Sequence, residues 1–351
     1  STMKNKGTIT LGESNSAGIA VMEDYSGSST TTTKSDVRAW GNSTSSTYNV
    51  ENLATTGLAT TGIINVGAGN SIGMYLKLNR ADAIANRGTI NVRGHSVSSG
   101  GTTTYYGSVG MRVDRGSYGG TTGAGTPIVD NLGKINVNHI NSMGMVAVGN
   151  GTMSTAIANN KDDGIITLGA DNTVGMFAEN GGEINNKAIT TGTVVNKGIL
   201  GTNLNNSVGM YISNSTSKGT NTGTIEISGL STSSTPANVK GVVGVYNLGN
   251  FEMSGSTSEI EISGINSTAV YANGPTSSVT TKIKEGKINI TGGSSTYGGI
   301  GLYAKNNAEI ELGETATPTI NVNSNALMFY NYDGNPADST SLLRKGKLKL
   351  H

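Results

Sequence analysis

The sequence predicts an all-β chain: a single-stranded parallel β-helix of about ten coils, with about three short strands per coil and loops inserted between them. Three observations carry this. A phrase of Ser-x-Gly-Met type recurs at Ser71-Ile72-Gly73-Met74-Tyr75, Ser108-Val109-Gly110-Met111, Ser142-Met143-Gly144-Met145, Thr173-Val174-Gly175-Met176-Phe177 and Ser207-Val208-Gly209-Met210-Tyr211. A Gly-x-Ile-x-Val phrase precedes most copies, as at Gly88–Val92, Gly133–Val137, Gly223–Ile227 and Gly286–Ile290. The pair returns at a period of roughly 22 to 37 residues, with turn residues and no helical pattern between, which marks a solenoid.

Each coil element has its own justification. The first strand is weak and ends in an Asn-x-Gly corner: Ala83–Gly88, Ile128–Gly133 and Val194–Gly198. Asn and Gly tolerate positive φ, so this corner is expected to turn through that region. The second strand is the Ile-x-Val phrase, with Ile90/Val92, Ile135/Val137, Ile166/Leu168, Ile260/Ile262 and Ile320/Val322 pointing inward. The third is the Ser-x-Gly-Met phrase. Strict alternation turns Ile72, Met74 and Leu76 inward, then Val109, Met111 and Val113, Val174, Met176 and Ala178, and Val208, Met210 and Ile212. Stacking then gives a column of Met74, Met111, Met145, Met176 and Met210, continued by Val245, Val270, Leu302 and Leu327. A flexible thioether filling a narrow tube accounts for the methionines, and no cofactor is implied. Handedness is taken as right-handed, as in most helices of this kind. Strands about 4.8 Å apart would make ten coils a rod on the order of 50 Å long.

Composition fits. Glycine supplies 52 of 351 residues, hydrophobic residues only 34%, and the net charge is +1. Disordered chains pair low hydrophobicity with high net charge and no periodicity, so this chain folds. Coils contact only their neighbours, so one continuous domain over residues 1–351 is expected despite the length. Cysteine is absent, excluding disulfides and thiolate metal sites and suiting passage through an oxidising periplasm. No apolar run is long enough to span a bilayer, and no signal peptide opens the chain. Repeats are already under way at Asn5-Lys6-Gly7 and still running at Gly346–Leu350, so a piece of a longer chain is expected.

Two sets of side chains are candidates for contact with a partner. Outside the third strand runs an aromatic column, Tyr75, Phe177, Tyr211, Tyr246, Tyr271 and Tyr303. It belongs to the repeat itself, which favours a structural ladder over a sugar-stacking strip. Insertions break the repeat, and in solenoids they map to loops that often bind. They lie near 23–55, 95–107, 114–126, 229–241 and 331–341. The N-terminal three carry Tyr25, Arg38, Trp40 and Tyr48, then Tyr105 and Tyr106, then Arg115 and Tyr118. Trp, Tyr and Arg dominate binding hot spots.

Catalysis is not expected. Acidic residues are scattered along the chain, and Asp162-Asp163 before Gly164 reads as a turn. Glu226, Glu259, Glu261 and Glu311 alternate with inward apolar residues, as on an exposed strand face. His95, His139 and His351 share no spacing with an acid or nucleophile. The glycine-rich calcium repeat is missing, so neither metal nor cofactor is expected. Acids nearly balance bases, leaving no basic stripe for nucleic acid beyond Arg344–Lys349.

The pairing of Asn-Lys-Gly-x-Ile-x-Leu/Val with Ser-x-Gly-Met-Tyr/Phe-Ala, seen in full across Gly164–Ala178, resembles the passenger repeats of the very large fusobacterial autotransporters. That resemblance implies type V secretion, a β-barrel anchor in the outer membrane and a β-helical passenger on the bacterial cell surface. It also implies an adhesin role in attachment, virulence and biofilm, with a host-cell glycan, a protein receptor or other bacteria as partner. A monomeric fragment is expected, its loops binding and its coils forming the stalk. The alternatives are a pure spacer and, less favoured, a polysaccharide-degrading enzyme.

Overall fold

A computed structural model describes the chain except residues 1–2, 13, 23–49, 54–61, 68, 80, 117–124, 154, 188–189, 192–193, 196–197, 232–238, 275–278, 293–297, 307, 314–315, 324, 333–346 and 351. It contains no helix among the described residues. Three long parallel sheets wind around one core. The first has eleven strands, from β1 (Met3–Asn5) to β35 (Lys347–Leu350); the second and third have ten each, from β2 (Thr8–Leu11) and β3 (Ala17–Met22) to β33 (Thr319–Asn323) and β34 (Leu327–Tyr332). Successive strands of the chain enter successive sheets, so each coil lies on the one before. This is the predicted parallel β-helix.

Register makes the core. In the second sheet Ile9, Ile64, Ile90, Ile135, Ile166, Ile199, Ile225, Ile260, Ile288 and Ile320 form one column. All but the two terminal ones are fully buried, each contributing about 1.5–3 kcal/mol. β-Branched side chains pack well on a pleated surface, which is why Ile holds the position throughout. The companion column runs Leu11, Val66, Val92, Val137, Leu168, Gly201, Ile227. At Gly201 the missing side chain is replaced by Leu204, swung in by a bulge of the same strand.

The first sheet turns its corner on an asparagine ladder. Asn5, Asn52, Asn86, Asn131, Asn160, Asn186 and Asn221 each pass an Nδ2–H to the Oδ1 of the next, at 2.8–3.0 Å. Six of the seven are fully buried. Beyond Asn221 the column becomes Met253, Ile283 and Leu312. The Asn-x-Gly signal therefore marks a ladder and not a positive-φ turn. Positive φ falls instead on the corner into the third sheet, at Asn15, Asn70, Asn141, Asn172, Asn206, Asn266 and Asn325. There a second ladder follows, in which the backbone N–H of Ser16, Ser71, Ser108 and Thr173 donates to the hydroxyl one coil on, at 3.1 Å.

Four expectations are corrected. Alternation in the third sheet breaks at its glycine: Gly73 and Gly110 lie inward beside Met74 and Met111, whereas Ile72, Val109, Val174 and Val208 sit half-buried on the outer side. A Cβ on Gly110 would lie 2.7 Å from the carbonyl oxygen of Gly144 and 2.7 Å from Ile135, so only glycine lets the coils approach. The Met column ends in Phe329, because Leu302 pairs with Phe329 and Leu327 pairs with Ile300. Val194-Val195 is not a coil strand; that place is held by β18 (Gly182–Asn186), and Val194-Val195 pairs antiparallel with Thr190-Thr191 in an insertion the sequence did not flag. The last correction is the corner chemistry already described.

Candidate interaction surface

The third sheet carries its aromatic column outward, in the register Ala20, Tyr75, Arg112, Val146, Phe177, Tyr211, Tyr246, Tyr271, Tyr303, Tyr330. From Phe177 onward the rings touch. Phe177 and Tyr211 meet edge-on at 5.2 Å, as do Tyr211 and Tyr246 at 4.9 Å. Tyr246, Tyr271 and Tyr303 then stack face to face, 4.6 Å apart and 10° from parallel at each step. Tyr330, which the sequence reading left out, extends the run at 5.2 Å. Sugar stacking needs an open ring face, and in this run neighbours cover the faces. Burial and the neighbouring rings hold the Tyr271 hydroxyl well above the usual tyrosine range.

Tyr75 stands apart, two coils from Phe177. Its hydroxyl donates to Asp114 Oδ2 at 2.7 Å, and Arg112 grips the same carboxylate through Nε at 2.7 Å and Nη2 at 3.1 Å. Burial, reinforced by Asp114, pushes the Tyr75 phenol up, so it remains a donor at neutral pH.

The insertion at 95–107 is an antiparallel hairpin, β9 (His95–Ser99) and β10 (Thr102–Tyr106), exposed along its whole length. Gly100 and Gly101 make its turn at positive φ. Tyr105 and Tyr106 lie at its base, 42% and 40% exposed. Pleating sends them to opposite faces. Tyr106 stacks with its cross-strand partner His95 at 6.4 Å, and Tyr105 meets His139 of the next coil edge-on at 6.0 Å. His139 holds its ring by donating Nδ1–H to the Ile140 carbonyl at 2.8 Å. The hairpin also packs against Gly69, where a Cβ would sit 2.4 Å from that of Tyr106. Two aromatic and two imidazole rings thus share one exposed patch. Sequence reasoning found the tyrosines but not the histidines, because His95 and His139 become neighbours only through coil register.

The other candidates separate. Arg115 donates to the Gly125 carbonyl across its own insertion, so its guanidinium anchors that loop. Tyr25, Arg38, Trp40, Tyr48 and Tyr118 lie outside the described residues. The structure also gathers carboxylates the sequence had left scattered. Glu226, Glu259 and Glu261, with Lys287, line an open groove of about 310 Å³ on the second sheet. Glu259 accepts the Asn289 amide at 2.7 Å. Among the described residues no group of three or more His, Cys, Asp or Glu is arranged to hold a metal ion.

A coiled, all-parallel rod with one exposed hairpin and polar ladders at its corners defines a pectate lyase-like β-helix. The family described as the BigA third pectate lyase-like domain matches residues 1–189, and the chain belongs to that family, one of bacterial surface-protein domains. Beyond residue 189 the same three sheets continue in register through a further five coils, so the architecture outlasts the matched span. No curated protein and no solved structure matches the chain.

Proposed function

We propose that this chain is part of the passenger of a type V autotransporter adhesin of the large fusobacterial kind, displayed outside the bacterial outer membrane, where it attaches the cell to a host glycan or protein receptor or to other bacteria. The observation that carries the reading is the hairpin at 95–106, which presents Tyr105 and Tyr106 with two histidines on a rod whose other aromatics are turned against one another. Such a patch offers aromatic area at low entropic cost, and repetition on a cell surface multiplies a weak contact. Membership of a family of bacterial surface-protein domains supports display at the surface. The fragment acts as a monomer, without cofactor, and binds no nucleic acid. It is not an enzyme: the carboxylates of the groove are held as strand-face residues, with Glu259 engaged by Asn289.

A pure spacer is the second reading, favoured by the ring-on-ring aromatic column and by Arg115 serving its own loop. Binding of the purified fragment to host-cell and bacterial surfaces, with galactose-type sugars and free arginine as competitors, separates the two. Saturable binding weakened by deletion of residues 24–50, by Trp40→Ala or by hairpin substitutions supports adhesion, and the effective competitor classifies the ligand. A folded, protease-resistant fragment that binds nothing is a stalk.

A further inference from the structure

We propose that Tyr246, Tyr271 and Tyr303 form a site of oxidative tyrosine coupling, at which a carbon–carbon bond between neighbouring rings staples successive coils covalently. The geometry is unusual for phenols. Three consecutive coils place tyrosine at one register position, and the rings lie 4.6 Å apart and within 10° of parallel at both steps. All three are half-buried, held by their strands yet open to solvent along one edge. Tyr330 continues the run to a ring that is 38% exposed, giving a one-electron oxidant a point of entry. Tyr211 meets Tyr246 at 72°, an edge-to-face arrangement that keeps the ortho carbons of that pair from facing each other.

The chemistry requires an oxidant of the peroxide class acting with a haem peroxidase. Each of two phenols gives up one electron and one proton, leaving phenoxyl radicals with spin density on the ortho carbons. The two ortho carbons join, and their hydrogens move to the oxygens to restore both phenols. One hydrogen peroxide is reduced to two waters, taking the two electrons and the two protons released. Because Tyr271 can form its first bond with either neighbour, two products are expected, the 246–271 and the 271–303 links. The inference is independent of adhesion and concerns only the rod.

The folded protein is treated with a haem peroxidase and hydrogen peroxide, and dityrosine fluorescence and tryptic peptides are read. Tyr246 and Tyr271 share the tryptic peptide 241–282, so their coupling shows as that peptide lighter by two hydrogens; the 271–303 link joins it to peptide 288–305, with fragment ions placing the bond at Tyr303. Tyr271→Phe preserves the stack and should remove both products and most of the monomer's dityrosine signal. The same treatment of urea-unfolded protein confirms that the reagents work and should not favour these pairs. Coupling confined to Tyr105, Tyr106 or links between molecules, or a signal unchanged in Tyr271→Phe, overturns the proposal. So does the absence of any dityrosine in the folded protein when the unfolded control couples.

Discussion

Asn131→Ala should be among the most damaging single substitutions in the rod. The side chain donates to Asn160 Oδ1 at 2.8 Å and to the Gly133 carbonyl at 3.2 Å, and accepts from Asn86 at 2.8 Å, all without contact to water. Asn86 keeps a second acceptor in the Lys134 carbonyl at 3.3 Å, so its loss is partial. Asn160 Oδ1 and the Gly133 carbonyl are left with weaker partners or none. An unsatisfied buried polar group costs about 1–3 kcal/mol, which sets the expected loss at about 2–4 kcal/mol. Asn136→Ala is the control. Asn136 donates to Asn91 at 2.9 Å on the outer face of the second sheet, where water replaces the bond, and the change should cost less than about 1 kcal/mol. Urea unfolding followed by circular dichroism gives the difference. Amide exchange at Lys161, whose N–H donates to the Asn131 carbonyl at 3.0 Å, tells whether the damage is local to the ladder. Equal losses for Asn131→Ala and Asn136→Ala would refute the claim that the ladder's burial makes it matter.

Gly110→Ala should destabilise by about 1–3 kcal/mol, because its Cβ would press on the Gly144 carbonyl and on Ile135; thermal unfolding measures it. Tyr271→Ala removes two ring contacts and should cost about 1–3 kcal/mol beyond its buried area, with Tyr271→Phe near neutral by the same assay. Alkaline pH tests the phenols. Tyr75, Tyr211 and Tyr271 are all held above their ordinary value, chiefly by burial, so the unfolded chain releases these protons first. Their contribution is complete below the unfolded tyrosine pKa of about 10 and is lost as pH rises past it; the loss should be shallower in Tyr75→Phe. Replacing residues 95–106 by a short glycine turn should leave the melting curve almost unchanged, since the hairpin contributes none of the buried core.

Much of the fold was legible because one phrase is repeated at one register. The isoleucine column could be written down from Ile90, Ile135, Ile166 and Ile260 before any coordinates. What alternation misjudged was the glycine of the Ser-x-Gly-Met phrase: it predicts Ile72 and Val109 inward, and the close approach of one coil's carbonyl to the next coil's glycine moves them out. Ladder asparagines and turn asparagines look alike in sequence, since both precede or neighbour glycine, and only stacking tells Asn86 from Asn70. Leu327 and Phe329 were confused for a similar reason, as either fits an apolar column until pairing with Leu302 fixes the choice. Of the candidate surface, Tyr105 and Tyr106 were visible as an interruption of the repeat. His139 was not, because nothing local links it to a hairpin more than thirty residues earlier. The grouping of Glu226, Glu259 and Glu261 was hidden in the same way.

Binding by the hairpin tests the account most directly. The intact fragment and its Tyr105→Ala/Tyr106→Ala variant, matched for melting behaviour, are titrated on the same host-cell and bacterial surfaces. The account predicts saturable binding by the intact rod and a loss of at least about tenfold in the variant, the scale of two hot-spot aromatics. Equal binding by both proteins would contradict it and leave the hairpin a decoration on a stalk.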